Sequence, residues 1–166
     1  ACGAAAILGG RPLLELSKSQ GMNLPVVYNS GGYEKAEALK LLDGLVDVYL
    51  PDMKYMSPGL AGKYSKAQDY PEAAMAALAE MFRQVGTPVF EVEKPDDNTA
   101  TDEAGLIMKR GMIVRHLVLP GCTADSKAVV KYLYDTYGDD IYMSIMSQYT
   151  PMLELMPGGK LNALYP

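Results

Sequence analysis

Asp47-Val48-Tyr49-Leu50-Pro51-Asp52-Met53-Lys54-Tyr55 has the period of a β-strand that ends in a charged tip. Side chains alternate along a strand, so Val48, Leu50, Asp52 and Lys54 fall on one side and Asp47, Tyr49, Pro51 and Met53 on the other. A carboxylate and an ammonium therefore leave the end of an apolar face together. In α/β folds the carboxyl ends of parallel strands open onto ligand crevices, so Asp52 and Lys54 are candidate binding residues. A second stretch, Met112 to Gly121, sets Ile113, Arg115, Leu117 and Leu119 on one face and Val114, His116 and Val118 on the other. An arginine among aliphatic neighbours needs an anion, because an uncompensated buried charge costs several kcal/mol. Asp52 or a ligand carboxylate would serve, and the parities predict Asp52, Lys54 and Arg115 in one cavity.

Outward from these two strands the period changes from two to 3.6 and back. A short helix over 13–20 precedes a strand over 24–29, and Ser30-Gly31-Gly32 turns into a helix over 34–42. Asp69 is placed to cap a helix that Gly86 ends, with Ala74, Met75, Leu78, Met81, Phe82 and Val85 as its apolar stripe. Segments 88–93 and 106–109 read as a hairpin excursion around a polar loop, 94–104. Thr123 or Asp125 caps a helix through Tyr137, and residues 141–147 form a last strand before a tail over 152–166. The pattern is that of βαβ units and mainly parallel strands with flanking helices. These elements make a partial (β/α) barrel or an open α/β sheet; because the polar tips fall at carboxyl ends the partial barrel is the expected form, four strands being too few to close one.

The chain has 166 residues, enough for one domain with a core, and a net charge of −5 with scattered basic residues, which argues against nucleic acid as a partner. No run of 18 apolar residues suggests a membrane span. Two cysteines, Cys2 and Cys122, match neither a disulfide framework nor a metal-ligand spacing, which fits the cytoplasm. Residues 1–12 read as an ill-defined leader of the kind met inside a longer protein. With that leader too short to cover it, the uncharged strand over 24–29 is expected to leave a sheet edge through which two copies could associate.

The stretches 24–34 (Leu-Pro-Val-Val-Tyr-Asn-Ser-Gly-Gly-Tyr-Glu), 48–55, 81–86 (Met-Phe-Arg-Gln-Val-Gly), 114–121 (Val-Arg-His-Leu-Val-Leu-Pro-Gly) and 146–151 (Met-Ser-Gln-Tyr-Thr-Pro) resemble, in order, the C-terminal part of radical S-adenosylmethionine proteins, in the branch of the pyruvate formate-lyase activating enzyme. The resemblance implies half of a TIM-like partial barrel, S-adenosylmethionine as cofactor, and a 4Fe-4S cluster that cleaves it to a 5'-deoxyadenosyl radical for hydrogen abstraction, with a glycyl-radical-type protein as a possible substrate. It implies that Asp52 and Lys54 contact the ribose and carboxylate of S-adenosylmethionine and that Arg115 lies near the same carboxylate. Gln148 and Tyr149 stand where activating enzymes offer a histidine. Asn29 and Ser30 stand where they place an Asp and a Thr around a monovalent cation. The cluster-binding Cys-x3-Cys-x2-Cys loop is absent from these residues, so the chain is expected to bind no metal alone and to correspond to the second half of such an enzyme. Two other functions fit the residues: a Lys54-dependent barrel lyase or decarboxylase, and a non-catalytic scaffold docking through its open edge.

Overall fold

The computed structural model describes residues 2–93 and 105–148. The polar loop 94–104, the tail 152–166 and Tyr149 lie outside the described residues. The chain is an α/β protein with a mostly parallel sheet. Helix α1 (Cys2–Ser19) leads to β1 (Val27–Ser30), α2 (Ala36–Leu39) with a 3-10 turn (Lys40–Leu42), β2 (Val48–Pro51), α3 (Pro58–Ser65) and α4 (Tyr70–Val85). Strands β3 (Val89–Glu93) and β4 (Gly105–Leu117), α5 (Thr123–Tyr137) and β5 (Tyr142–Met146) complete it.

Parallel pairing runs β1 to β2 to β4 to β5, so the parallel strands lie side by side in chain order. Strand β3 is antiparallel to the first half of β4, as the hairpin reading expects. The two halves of β4, anticipated as separate strands, are one. Gly111 joins them at φ 141°, and a Cβ there would stand 3.0 Å from Pro88 Cα, so only glycine lets β4 pass without a break from its antiparallel to its parallel partners.

The leader is a correction: Cys2 to Ser19 is one helix running through Pro12, not an ill-defined segment followed by a helix begun at the proline. Alanine-rich sequence favours helix, and the proline forgoes one backbone bond without ending it. Helix α1 packs on α2 and its 3-10 turn, leaving the outer edge of β1 unpaired among the described residues, with Leu24 and Val27 exposed beside it.

One face of the sheet carries the helices. Tyr49 reaches α4, where its hydroxyl donates to Gln84 Oε1 at 2.6 Å, and the Tyr28 ring meets Tyr49 edge-on. Met112, Val114 and His116 of β4 are buried on this side. Phe82 of α4 and Tyr137 of α5 touch edge to face, with centroids 5.2 Å apart, closing the helical layer over a core that includes Leu39, Leu78, Met81, Val129 and Leu133. The other face, with Leu50, Asp52, Ile113, Arg115 and Leu117, is only partly buried.

Glu80 is the charged exception in the core. Arg83 donates to both of its carboxylate oxygens at 2.9 Å, and Gln84 adds a third bond at 2.7 Å. Arg83 foremost holds its pKa below the usual carboxylate range. A depressed folded pKa gives stability that is present above the unfolded value of 4.5 and lost as pH falls through the folded one. Glu80→Gln should therefore flatten the acid limb of a urea-midpoint profile by about 0.5–1 kcal/mol, the pair being near solvent. An unchanged limb would contradict this.

Candidate functional site

A cleft of about 330 Å³ opens at the carboxyl ends of the parallel strands, lined by Asp52, Lys54, Tyr55, Arg115, Leu117, Leu119 and Met146. Asp52, Lys54 and Arg115 thus share one cavity, as strand parity demands. Asp52 pairs with Arg115 through an isolated parallel bridge just past β2. Arg115 Nε donates to Asp52 Oδ1 at 2.9 Å, while Nη2 forms an ion-pair contact with the same oxygen at 2.7 Å and donates to Asn29 Oδ1 at 2.7 Å. The guanidinium is committed to groups of two neighbouring strands.

Lys54 is different. Its ammonium lies 4.0 Å from Asp52 Oδ2, beyond hydrogen-bond distance, and hangs over Gly31, whose missing Cβ would stand 3.5 Å from Nζ. Its side chain is 44% exposed, against 23% for Asp52 and 26% for Arg115. Two cations face one carboxylate, and among the described residues neither the Lys54 ammonium nor Asp52 Oδ2 makes a hydrogen bond.

The other anticipated site residues divide. Asn29 joins the cleft through Arg115. Ser30 does not: it faces the helices, where its hydroxyl accepts from Gly32 N at 2.9 Å and donates to Glu34 at 3.2 Å, shaping the turn after β1. Adjacent strand residues cannot share a face. Gln148 is exposed just past β5.

Tyr70 is the residue the sequence hid. Buried at the start of α4 with 2% exposure, its hydroxyl accepts from Lys54 N at 3.0 Å and points its proton at the carbonyls of Gly31 and Asp52, each 2.9 Å away. It ties the end of β1 to the Asp52–Lys54 tip. From the sequence Tyr70 is one more first-turn residue of a helix. From the opposite strand, His116 Nδ1 donates to the Met53 carbonyl at 2.7 Å, so the backbone from 52 to 54 is gripped by a phenol and an imidazole. Two expected helix caps also serve this region instead: Asp69 accepts from Tyr33 Oη at 2.7 Å, and Asp125 accepts from the amides of Met56 and Ser57.

Fold and cleft define an α/β protein with a pocket lined by Asp52, Lys54 and Arg115 at the carboxyl edge of its parallel strands. An uncharacterized protein of Methanocaldococcus jannaschii, MJ0674, is 29% identical over 133 residues, covering 78% of this chain and 30% of the relative. The chain therefore spans less than a third of that protein's length. No family model and no solved structure matches the chain. No group of three potential metal ligands lies together among the described residues, and none of their helices is long and apolar enough to cross a membrane.

Proposed function

We propose that this chain is the S-adenosylmethionine-holding part of a radical S-adenosylmethionine protein of the activating-enzyme-like branch. The observation that carries the reading is the exposed Lys54 ammonium beside Asp52 Oδ2, neither with a hydrogen bond among the described residues, in a cleft braced by Arg115. That set suits a ligand with a carboxylate and hydroxyls: Lys54 pairs with the carboxylate, Asp52 Oδ2 accepts from a ribose hydroxyl, and Arg115 fixes Asp52 while adding positive potential. The sequential order of the parallel strands suits an opened barrel with its site on this face. The glycyl-radical-type protein substrate and the cytoplasmic setting belong to the same reading.

A 4Fe-4S cluster, which would supply the electron for cofactor cleavage, needs three thiolates, and Cys2 and Cys122 are too few to hold it. Its ligands would come from outside these 166 residues. The Lys54 lyase reading draws less support, since a Schiff-base lysine works desolvated and this one is well exposed.

Calorimetric titration tests the proposal. S-adenosylmethionine should bind saturably, and Lys54→Ala should weaken it about 10- to 100-fold, the worth of one charged hydrogen bond. Decarboxylated S-adenosylmethionine should be indifferent to that substitution. Absence of saturable binding, or equal losses for both ligands, would overturn the assignment.

A further inference from the structure

Along a strand between two parallel neighbours, successive amides bond alternately to one side and the other. At the end of β2, Asp52 N donates to Ser30 O of β1 and Met53 N to Arg115 O of β4, each at 2.9 Å. The next amide, Lys54 N, should return to the β1 side, where the regular partner is the carbonyl of Gly32. Strand β1 has already ended at Ser30, however, and Gly32, at φ 78°, turns the chain toward α2. The Tyr70 hydroxyl takes the place of that carbonyl, accepting from Lys54 N at 3.0 Å with its proton toward Gly31 O and Asp52 O. Its ring is held as well, edge-on to Tyr55 with centroids 5.6 Å apart and against Tyr33 at 5.8 Å.

One hydroxyl thus grips both the residue that carries the ammonium and the residue over which that ammonium lies. Lys54 Nζ and Cε come within 3.5 and 4.0 Å of the point where a Gly31 Cβ would stand. The Asp52 carboxylate has a separate anchor in Arg115, so loss of the Tyr70 hydroxyl falls on Lys54 and spares the Asp52 side chain. We propose that Tyr70 is the positioning residue of the cleft: by standing in for a ladder carbonyl it sets Lys54 over Gly31, and so makes the cleft selective for ligands that carry a carboxylate. Only the identity of the ligand rests on the S-adenosylmethionine reading.

Tyr70→Phe removes the hydroxyl and keeps the ring. In the wild type, proton NMR of the full chain should show a nuclear Overhauser contact between Lys54 Hε and Gly31 Hα, and a Lys54 amide protected from exchange. In Tyr70→Phe the contact should vanish and the Lys54 amide should exchange at least about tenfold faster, with the amides of Asp52 and Met53 unchanged. S-adenosylmethionine should bind about tenfold more weakly and decarboxylated S-adenosylmethionine as before, and Tyr70→Phe should add no loss to that of Lys54→Ala in the double variant. Tyr49→Phe, which removes a buried hydroxyl on the far side of the sheet from the cleft, should change none of these. A wild type without the contact, a contact that survives Tyr70→Phe, equal losses for the two ligands, losses that add to those of Lys54→Ala, or the same changes in Tyr49→Phe would each overturn the proposal. The contact is read without ligand, so a chain that binds no S-adenosylmethionine but loses the contact in Tyr70→Phe would refute the cofactor reading and leave the positioning role standing.

Discussion

Gly32→Ala should destabilise the protein by about 3–5 kcal/mol, because it joins an unfavourable backbone conformation to a clash that backbone must absorb. Gly32 has φ 78°, and a Cβ there would lie 2.0 Å from the Asp52 carbonyl oxygen and 3.2 Å from Tyr70 Oη. Neither neighbour can swing away. The carbonyl belongs to the tip of β2, and the phenol is held by three backbone groups. Relief requires the ends of β1 and β2 to separate, breaking the Asp52 N to Ser30 O bond of 2.9 Å and displacing Asp52 and Lys54 together. Gly121 is the control, with a similar φ of 73° but nothing near its Cβ position, so Gly121→Ala should cost only about 1 kcal/mol. Urea unfolding of both variants checks this, and a Gly32→Ala protein within about 1 kcal/mol of wild type would refute it.

Much of the cleft was legible because strand parity is a hard constraint. Once 47–55 and 112–119 read as strands, Asp52, Lys54 and Arg115 had to converge, and the cleft contains all three. What stayed hidden depends on contacts that period does not encode. Tyr70 looks like any aromatic at a helix start, and its role arises because α4 begins beside the ends of β1 and β2. Asp125, a candidate cap in the sequence, lies inside the first turn of α5 behind Cys122 and accepts instead from two amides after the β2 tip. In residues 2–12 glycine and proline argue against a helix, whereas the alanines and the packing of α1 on α2 outweigh them. Ser30 shows the opposite limit: its neighbour Asn29 reaches Arg115 of the cleft, and alternation alone turns Ser30 to the helices.

Stability should collapse in alkali, by about 3 kcal/mol per pH unit once pH exceeds 10, because three core phenols resist ionisation. Tyr49, Tyr70 and Tyr137 are 0%, 2% and 7% exposed, and burial raises the pKa of each well above the ordinary 10.0. Tyr28, half-buried, is pushed up to about 12 by burial and by Glu34. Above pH 10 the unfolded chain has released protons that the folded chain still holds, so it binds fewer of them and the free energy of unfolding falls as pH rises. Each phenol contributes at most about 1.4 kcal/mol per pH unit, and about 1 after allowance for solvent screening. Tyr49→Phe keeps the ring against Tyr28 and gives up the bond to Gln84, so it should lower stability at neutral pH by about 1 kcal/mol and remove roughly a third of the alkaline slope. Urea midpoints from about pH 9 to 11.5, followed with phenolate absorbance, measure both effects. Folded protein that ionises these phenols without losing stability would show that the helical layer over the sheet admits water, contrary to the packing of Tyr49 and Tyr137 within it.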